Sequence, residues 1–563
     1  MKKWALIILL SSAQICCVTF ANAAEENQPA AQKVESGCVD LKQLCSKVES
    51  ELKSAKILCD MSAYQDAEKA LAHVVQLCAS YPYNMAATAT LQNLRSDALY
   101  ELGRVSYQLA KYDKARQTLH YAIQAVDDAL AANPCDFDAL ATRQKCFVQL
   151  GSLEKDLHNY EAAQFDLESS DLSCDRMQKL RPGVQETIQY RLAYRIALGE
   201  LLVKLKREEL AKYQFEKAVS EAAYSLRKSP DNILIEKFKT RAHVGLSVVY
   251  QRKLDYVSAR AEADKAVDLM QASASKHPER ADCLVDLAFA LGAKAALSTL
   301  IAEREKAIVV FNQALVPCAE AIKLAPHFFA ARSRLGTINL LIGTQQLALN
   351  KFAKASRSID AAIENFTQLR SSAPELSTLN SDLALCYLQN GTSLCKQNQP
   401  AKSEKSFEQG LAYSEKSLTR FPTFADAWTT KAMLLAGLAE VERAQSNTTL
   451  SIKKDKESIL AMNKALELDP SDSSVLLLRA DTFFRIGQWQ HDNDQGAEAK
   501  ESVTAAINDY DSLSKITRTF VKGLVSAAEA RSLLNLWERS EALPKSFPAA
   551  STPAASAEPT PSH

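Results

Sequence analysis

The sequence predicts an all-α solenoid of about ten antiparallel helical hairpins followed by a capping helix, and three observations lead there. Pro134, Pro182, Pro230, Pro278, Pro326, Pro374, Pro422 and Pro470 recur every 48 residues with no insertion or deletion. A proline forces the preceding residue out of the helical region, so each marks a place where a helix stops. Positions locked to this register stay small, as at Gly103, Gly151, Gly199, Ser247, Ala295, Gly343, Gly391, Ala439 and Gly487. The 563 residues also include only 15 Gly and 17 Pro among long stretches of good helix formers. A chain of this length exceeds what one core supports, and a fixed period selects a repeat array over several globular domains.

The elements follow in order. Lys2 and Lys3 precede an apolar run from Trp4 to Phe20, and Ala21-Asn22-Ala23 offers the small-x-small site of a signal peptidase. Residues 1–23 are therefore expected to be a signal peptide, and the mature chain periplasmic or secreted. Gln14 and Ile15 stand where small residues precede a lipid-bearing cysteine, which argues against a lipid anchor at Cys16 or Cys17. No later stretch is expected to form a transmembrane helix. Residues 24–37 read as a linker, 38–517 as ten 48-residue hairpins, 518–543 as the capping helix and 544–563 as a disordered Pro/Ala/Ser tail.

Within each unit a second small position falls at Ala67, Ala115, Ala163, Ala211, Ala259, Ala307, Ala355, Ser403, Ser451 and Ala499. A bulky one follows four residues later, at Leu119, Leu167, Phe215, Phe311, Ile359, Phe407 and Val503, with Ala263 and Asp455 as exceptions. Spacings of four and seven share one helical face. Small residues on facing helices let the backbones approach while the bulky residue fills the space beside them.

This pattern, clearest in Phe147-Val148-Gln149-Leu150-Gly151 and Ala211-Lys212-Tyr213-Gln214-Phe215-Glu216-Lys217-Ala218, resembles the tetratricopeptide repeat. The resemblance covers residues 38–540 and departs in length, because that family's usual period is 34 residues. Two additional turns on each helix, giving helices of about 20 residues, absorb the difference. The resemblance implies a right-handed solenoid whose first helices line a peptide-binding groove. The implied groove residues are Asp97, Tyr100, Arg104 and Tyr107 early in the chain. In the middle they are Phe289, Gly292, Ala296 and Thr299, then Thr337, Leu340, Thr344 and Leu347, then Leu385, Leu388, Thr392 and Cys395. Met433, Ala436, Glu440 and Arg443, then Asp481, Phe484, Gln488 and His491, complete the set toward the C-terminus. The same apolar centre suits a core equally well if the longer helices tighten the array, and the sequence leaves both open.

Eleven cysteines follow the signal peptide. Hairpin register places Cys45 opposite Cys78 and Cys283 opposite Cys318, so each pair is a disulfide candidate; buried thiols acting as small hydrophobes are the alternative. Cys135 and Cys174 lie a turn out of register. Lysine plus arginine equals aspartate plus glutamate at 67 each, which offers no net charge for nucleic acid. The sequence contains no paired CxxC, HExxH, phosphate loop or nucleophile elbow. The oxygen-rich loop from His491 to Gly496 lacks the closing glutamate of a calcium loop. The expectation is thus no enzyme, no cofactor and no metal, but an exported scaffold that binds a partner protein or peptide. A subunit of a cell-wall-processing enzyme complex is the alternative.

Overall fold

The computed structural model describes residues 41–60, 64–79, 89–109, 111–157, 159–326, 328–372, 378–516 and 521–542. The expected signal peptide, linker and C-terminal tail lie outside the described residues, as does Pro374. Among the described residues all regular structure is α-helical. The first helices of the hairpins are α1 (Leu41–Asp60), α3 (Ala89–Gln108), α5 (Phe137–Asp156), α7 (Gln185–Lys204), α9 (Ile233–Arg252), α11 (Ala281–Leu300), α13 (Phe329–Ala348), α15 (Thr378–Lys396), α17 (Ala425–Ala444) and α19 (Ser473–Asp492). Their partners are α2 (Tyr64–Ala79), α4 (Tyr112–Ala132), α6 (Tyr160–Leu180), α8 (Glu208–Lys228), α10 (Tyr256–Lys276), α12 (Arg304–Leu324), α14 (Phe352–Ser372), α16 (Pro400–Arg420), α18 (Thr448–Leu468) and α20 (Gly496–Ile516); α21 (Val521–Ala542) follows.

From α3 to α13 the first helix of each hairpin has 20 residues and the second 21. At 1.5 Å per residue each is about 30 Å long. The chain divides into two compact units after Lys454, within α18. In the first unit neighbouring helices pack antiparallel, and successive odd-numbered helices also touch, which makes it a tetratricopeptide-like α-solenoid. The second unit packs α20 on α19, with Ala527, Ala530 and Trp537 of α21 against Ala480, Val503 and Tyr510.

From α7 onward the hairpin turns are built the same way. Lys206 N–H donates to the Val203 carbonyl and Arg207 N–H to that of Leu202, a Schellman pair that satisfies two end carbonyls of α7. The pair recurs at Leu254 and Asp255, and at Ala302 and Glu303. It requires a left-handed residue, and Lys206, Leu254, Ala302, Asn350, Asn398, Ser446 and Asp494, one in each hairpin from α7 to α20, have φ between 57° and 65°. The opposite turn carries the proline, two residues before an N-cap that is a side-chain acceptor at Asp136, Asn232 and Asp472.

The hairpin interior shows why the small positions matter. A Cβ added at Gly199 would lie 2.7 Å from the Phe215 ring, and one at Gly391 2.6 Å from Phe407. Gly245 and Gly437, on the next odd helices, meet the same two rings from the other side. Each aromatic side chain is therefore a peg between two odd helices. Where serine occupies the second small position, its hydroxyl reaches across the hairpin: Ser403 donates to the Gly391 carbonyl at 2.8 Å, Ser451 to Ala439 at 2.9 Å.

The exceptions have local explanations. At Ala263 the facing residue is Ser247, whose hydroxyl donates to the Ala259 carbonyl. Asp455 is fully enclosed in the peg position and accepts two hydrogen bonds from Arg485, at 2.8 and 3.2 Å. Two helices, α11 and α12, are apolar and long enough to cross a membrane, contrary to the sequence expectation. The apolar surface of α11 is mostly buried, in a core cluster shared with α13 and α15.

Gly199→Ala should lower stability by about 1–2 kcal/mol, because overpacking against Phe215 outweighs the gain in helix propensity. Chemical denaturation of the variant and of Gly199→Ala/Phe215→Leu checks this; the second change should recover part of the loss. Leu254→Gly, at an exposed left-handed position, should raise stability by about 0.5–1 kcal/mol. An unchanged or lower midpoint would contradict it.

Candidate interaction surface

The face of the odd helices that carries Asp97, Tyr100, Arg104 and Tyr107 is where successive odd helices meet. Asp97 accepts from Lys56 of α1 at 2.5 Å and lies 3.8 Å from Lys145 of α5. The Lys145 ammonium sits 5.5 Å from the Tyr100 ring and 5.9 Å from that of Tyr190 on α7. Arg104 donates to Glu101 at 2.7 Å, one turn away on the same helix. Tyr107 stacks on Tyr112 at 5.3 Å and donates to Asp156 at 2.6 Å.

The series continues along the first unit. Glu200 of α7 accepts from Lys155 of α5 at 2.6 Å and from Arg241 of α9 at 2.7 Å. Lys237 of α9 bridges Asp282 at 2.5 Å and Asp286 at 3.1 Å on α11. The Arg334 guanidinium of α13 lies 5.0 Å from the Phe289 ring. Lys396 of α15 pairs with Glu440 of α17 at 3.2 Å, with both side chains about half exposed. These contacts form a charged ladder whose rungs join one odd helix to the next.

Burial and charge set the ionisation of this surface. Burial pushes the Tyr100 phenol well above its ordinary range. It also raises the Asp156 carboxyl, against the pull of Lys155 and the Tyr107 hydroxyl. For Glu200 burial acts upward, but the Lys155 and Arg241 cations outweigh it and hold the carboxyl at about 2. Burial lowers the Lys204 ammonium, while Asp426 of α17 opposes that shift. Asp382 is raised to about 7 by burial.

The central groove residues are placed differently from a peptide-lined groove. Leu340, Leu385 and Leu388 belong to the core cluster spanning α10 to α17, and Leu340 is only 1% exposed. Thr299, Thr337 and Thr344 are also buried, and together with half-buried Thr392 they donate to carbonyls four residues back in their own helices. Phe289 and Leu347 are half-buried at its edge. Thus the face is core in its middle and open only in its charged parts. Tyr100, Arg104 and Tyr107 are half-buried in its charged part.

The candidate disulfides are not formed in this structure, where Cys45, Cys78, Cys283 and Cys318 are free thiols and the last three are buried. The Cys283 thiol lies within reach of Lys237 and Asp282, whereas the charge that acts on Cys318 is Arg334 of the following hairpin, so the two have different electrostatic neighbours. Cys45 is close enough to raise the Cys78 thiol further, but the two remain separate. Burial raises the Cys78 thiol to about 11, away from the reactive thiolate. Among the described residues no group of side chains suits a metal ion.

Lys145, Lys155, Glu200 and Arg241 are additional residues that register alone could have located, whereas Lys237, Asp282 and Arg334 fall at other places in the repeat. Lys145 and Lys155 lie one period after Asp97 and Tyr107. What the register could not supply was the pairing between helices.

No family model matches the chain, and no curated protein matches it. Solved structures of helical-repeat proteins are similar at low identity. A Rap protein complexed with competence and sporulation factor aligns at 11% identity over 75% of this chain and 99% of its own, with a TM-score of 0.42. Yeast Tom70 aligns at 14% identity over 89% of this chain and 98% of its own, with a TM-score of 0.33. A tetratricopeptide repeat protein from Parabacteroides merdae aligns at 15% identity over 61% of this chain and 99% of its own, with a TM-score of 0.30.

Glu200→Gln should destabilise the protein by about 2–3 kcal/mol at neutral pH, since two cations lose their partner. The Glu200 contribution is present above its ordinary value of 4.5 and is lost as pH falls from there toward 2. Denaturation of both proteins across that interval should show the gap narrowing; a constant gap would exclude ionisation as its source. The 48-residue hairpins, small-residue seams and stacked odd helices together make this chain a tetratricopeptide-like repeat protein with lengthened helices.

Proposed function

We propose that the chain is an exported interaction scaffold that holds an extended segment of a partner protein on the charged face of its odd helices. Arg241 carries this reading. It is fixed by one contact to Glu200, yet 43% of its side chain is open to solvent. A guanidinium has five N–H donors, so most remain for a carboxylate or backbone carbonyl of a partner. Glu200 in turn keeps Arg241 oriented before a ligand arrives, which reduces the ordering cost of binding. Tyr100 and Tyr107 add aromatic surface to the same face, suited to side-chain stacking. Export follows from the leader alone, as a reading of Lys2, Lys3, the apolar run and Ala23.

Crosslinking capture with the full-length exported protein tests the binding, and N-terminal sequencing of the mature chain tests export. A specific partner band should be lost or reduced about tenfold in Arg241→Met, which removes hydrogen bonds to a charged group. It should persist in Lys464→Met, a surface change outside the ladder. Equal capture by both variants would refute the assigned face, and an intact Met1 in the extracytoplasmic fraction would refute cleavage.

A further inference from the structure

Solenoid helices ordinarily touch only their neighbours, and helix-on-helix packing in the first unit follows that rule. One set of contacts breaks it. Arg420, the last residue of α16, donates to Asp113 in the first turn of α4 at 2.5 Å, across 307 residues of sequence. The next residue, Phe421, packs against the cluster of Leu99, Tyr112 and Leu119. Five residues further on, Asp426 exerts an attractive field on Lys204 at the end of α7. Thus a single loop with its two flanking helix ends touches α3 and α4 and brings a carboxylate within electrostatic reach of α7.

These partners are not arbitrary places. Tyr112 is the residue on which Tyr107 stacks, and Tyr107 holds Asp156. Lys204 lies one turn from Glu200, the centre of the Lys155–Glu200–Arg241 rung. Burial lowers the Lys204 ammonium, as expected of a cation covered by protein rather than water.

We propose that Arg420, Phe421 and Asp426 form a salt-sensitive clasp that closes the first unit on itself and covers the end of the charged ladder. The ionic part is a partly exposed pair, Asp113 at 42% and Arg420 at 23% side-chain exposure. Such a pair responds to screening, whereas the neighbour-to-neighbour core does not. Opening would release the α16–α17 loop from α4. The clasp requires no ligand and stands whether or not the ladder binds a peptide.

Hydrogen–deuterium exchange of the full-length chain, with small-angle scattering, tests it. Raising NaCl from about 20 mM to about 1 M shortens the Debye length to about 3 Å, and should speed exchange in residues 112–119 and 417–426 roughly fivefold. Arg420→Asp should give the same acceleration at low salt together with a larger radius of gyration. The charge swap Asp113→Arg/Arg420→Asp should return both readouts to within about twofold of the unmodified chain. Circular dichroism establishes that the helices persist, and the salt series on the unmodified chain provides an arm that needs no variant. Exchange and radius unchanged by both salt and Arg420→Asp would overturn the clasp. So would a swap that restores neither readout while helicity is intact.

Discussion

Everything in the first unit depends on how closely the two helices of a hairpin approach. Absence of a side chain at Gly199 or Gly391 leaves a socket, and a bulky residue on the partner helix fills it. Because Phe215 and Phe407 also touch a glycine on the following odd helix, one contact fixes two spacings, within the hairpin and between hairpins. Close packing of this kind tolerates little change in volume, so the pattern of small and large residues is a structural specification. At Asp455 and Arg485 the specification is met with an ion pair: the peg becomes a carboxylate and the residue facing it an arginine. A buried aspartate at that place needs its cation, since an unpaired buried charge costs several kcal/mol.

Close spacing of the odd helices decides the character of their shared face. In the middle of the first unit, where those residues are Leu340, Leu385 and Leu388, proximity turns them into core. Toward the N-terminus, where the same register holds lysine, glutamate, arginine and tyrosine, proximity creates rungs between helices instead. The threonines of the central stretch complete the inward turn by bonding to their own helices. Lengthened helices increase the area over which neighbours can meet, so a groove expected from shorter repeats becomes partly filled.

The hairpins, their turns and their interior seam were legible because each depends on residues a fixed number of positions apart. Pro134 stops a helix by its own stereochemistry, and Gly151 faces Leu167 at a spacing set by one hairpin. The face on which Leu340 lies was legible from register, but its exposure was not, since Leu340 is buried among residues of other hairpins. The same holds for Glu200: its two cations lie on different helices, and only inter-hairpin geometry brings them together. For Cys283 and Cys318, opposition within a hairpin was not enough, because thiol direction depends on rotation of each helix. Nothing in local sequence marks Asp113 and Arg420 as partners.

That last pair explains why a strict period would matter. In a solenoid each unit contributes a small rotation, and the position of a distant unit is the product of all rotations before it. One inserted residue turns a helix by about 100° at 3.6 residues per turn, displacing its pegs and every later hairpin. Contact between α4 and the loop after α16 therefore requires that each intervening hairpin keep its register, and the prolines between them do so without insertion or deletion. Local seams set the step, and the meeting of Arg420 with Asp113 is where their accumulated geometry closes. A nearest-neighbour array would tolerate gradual drift in that step. A unit that must return to its own fourth helix would not, which makes the constant 48-residue spacing a requirement of closure as well as of packing.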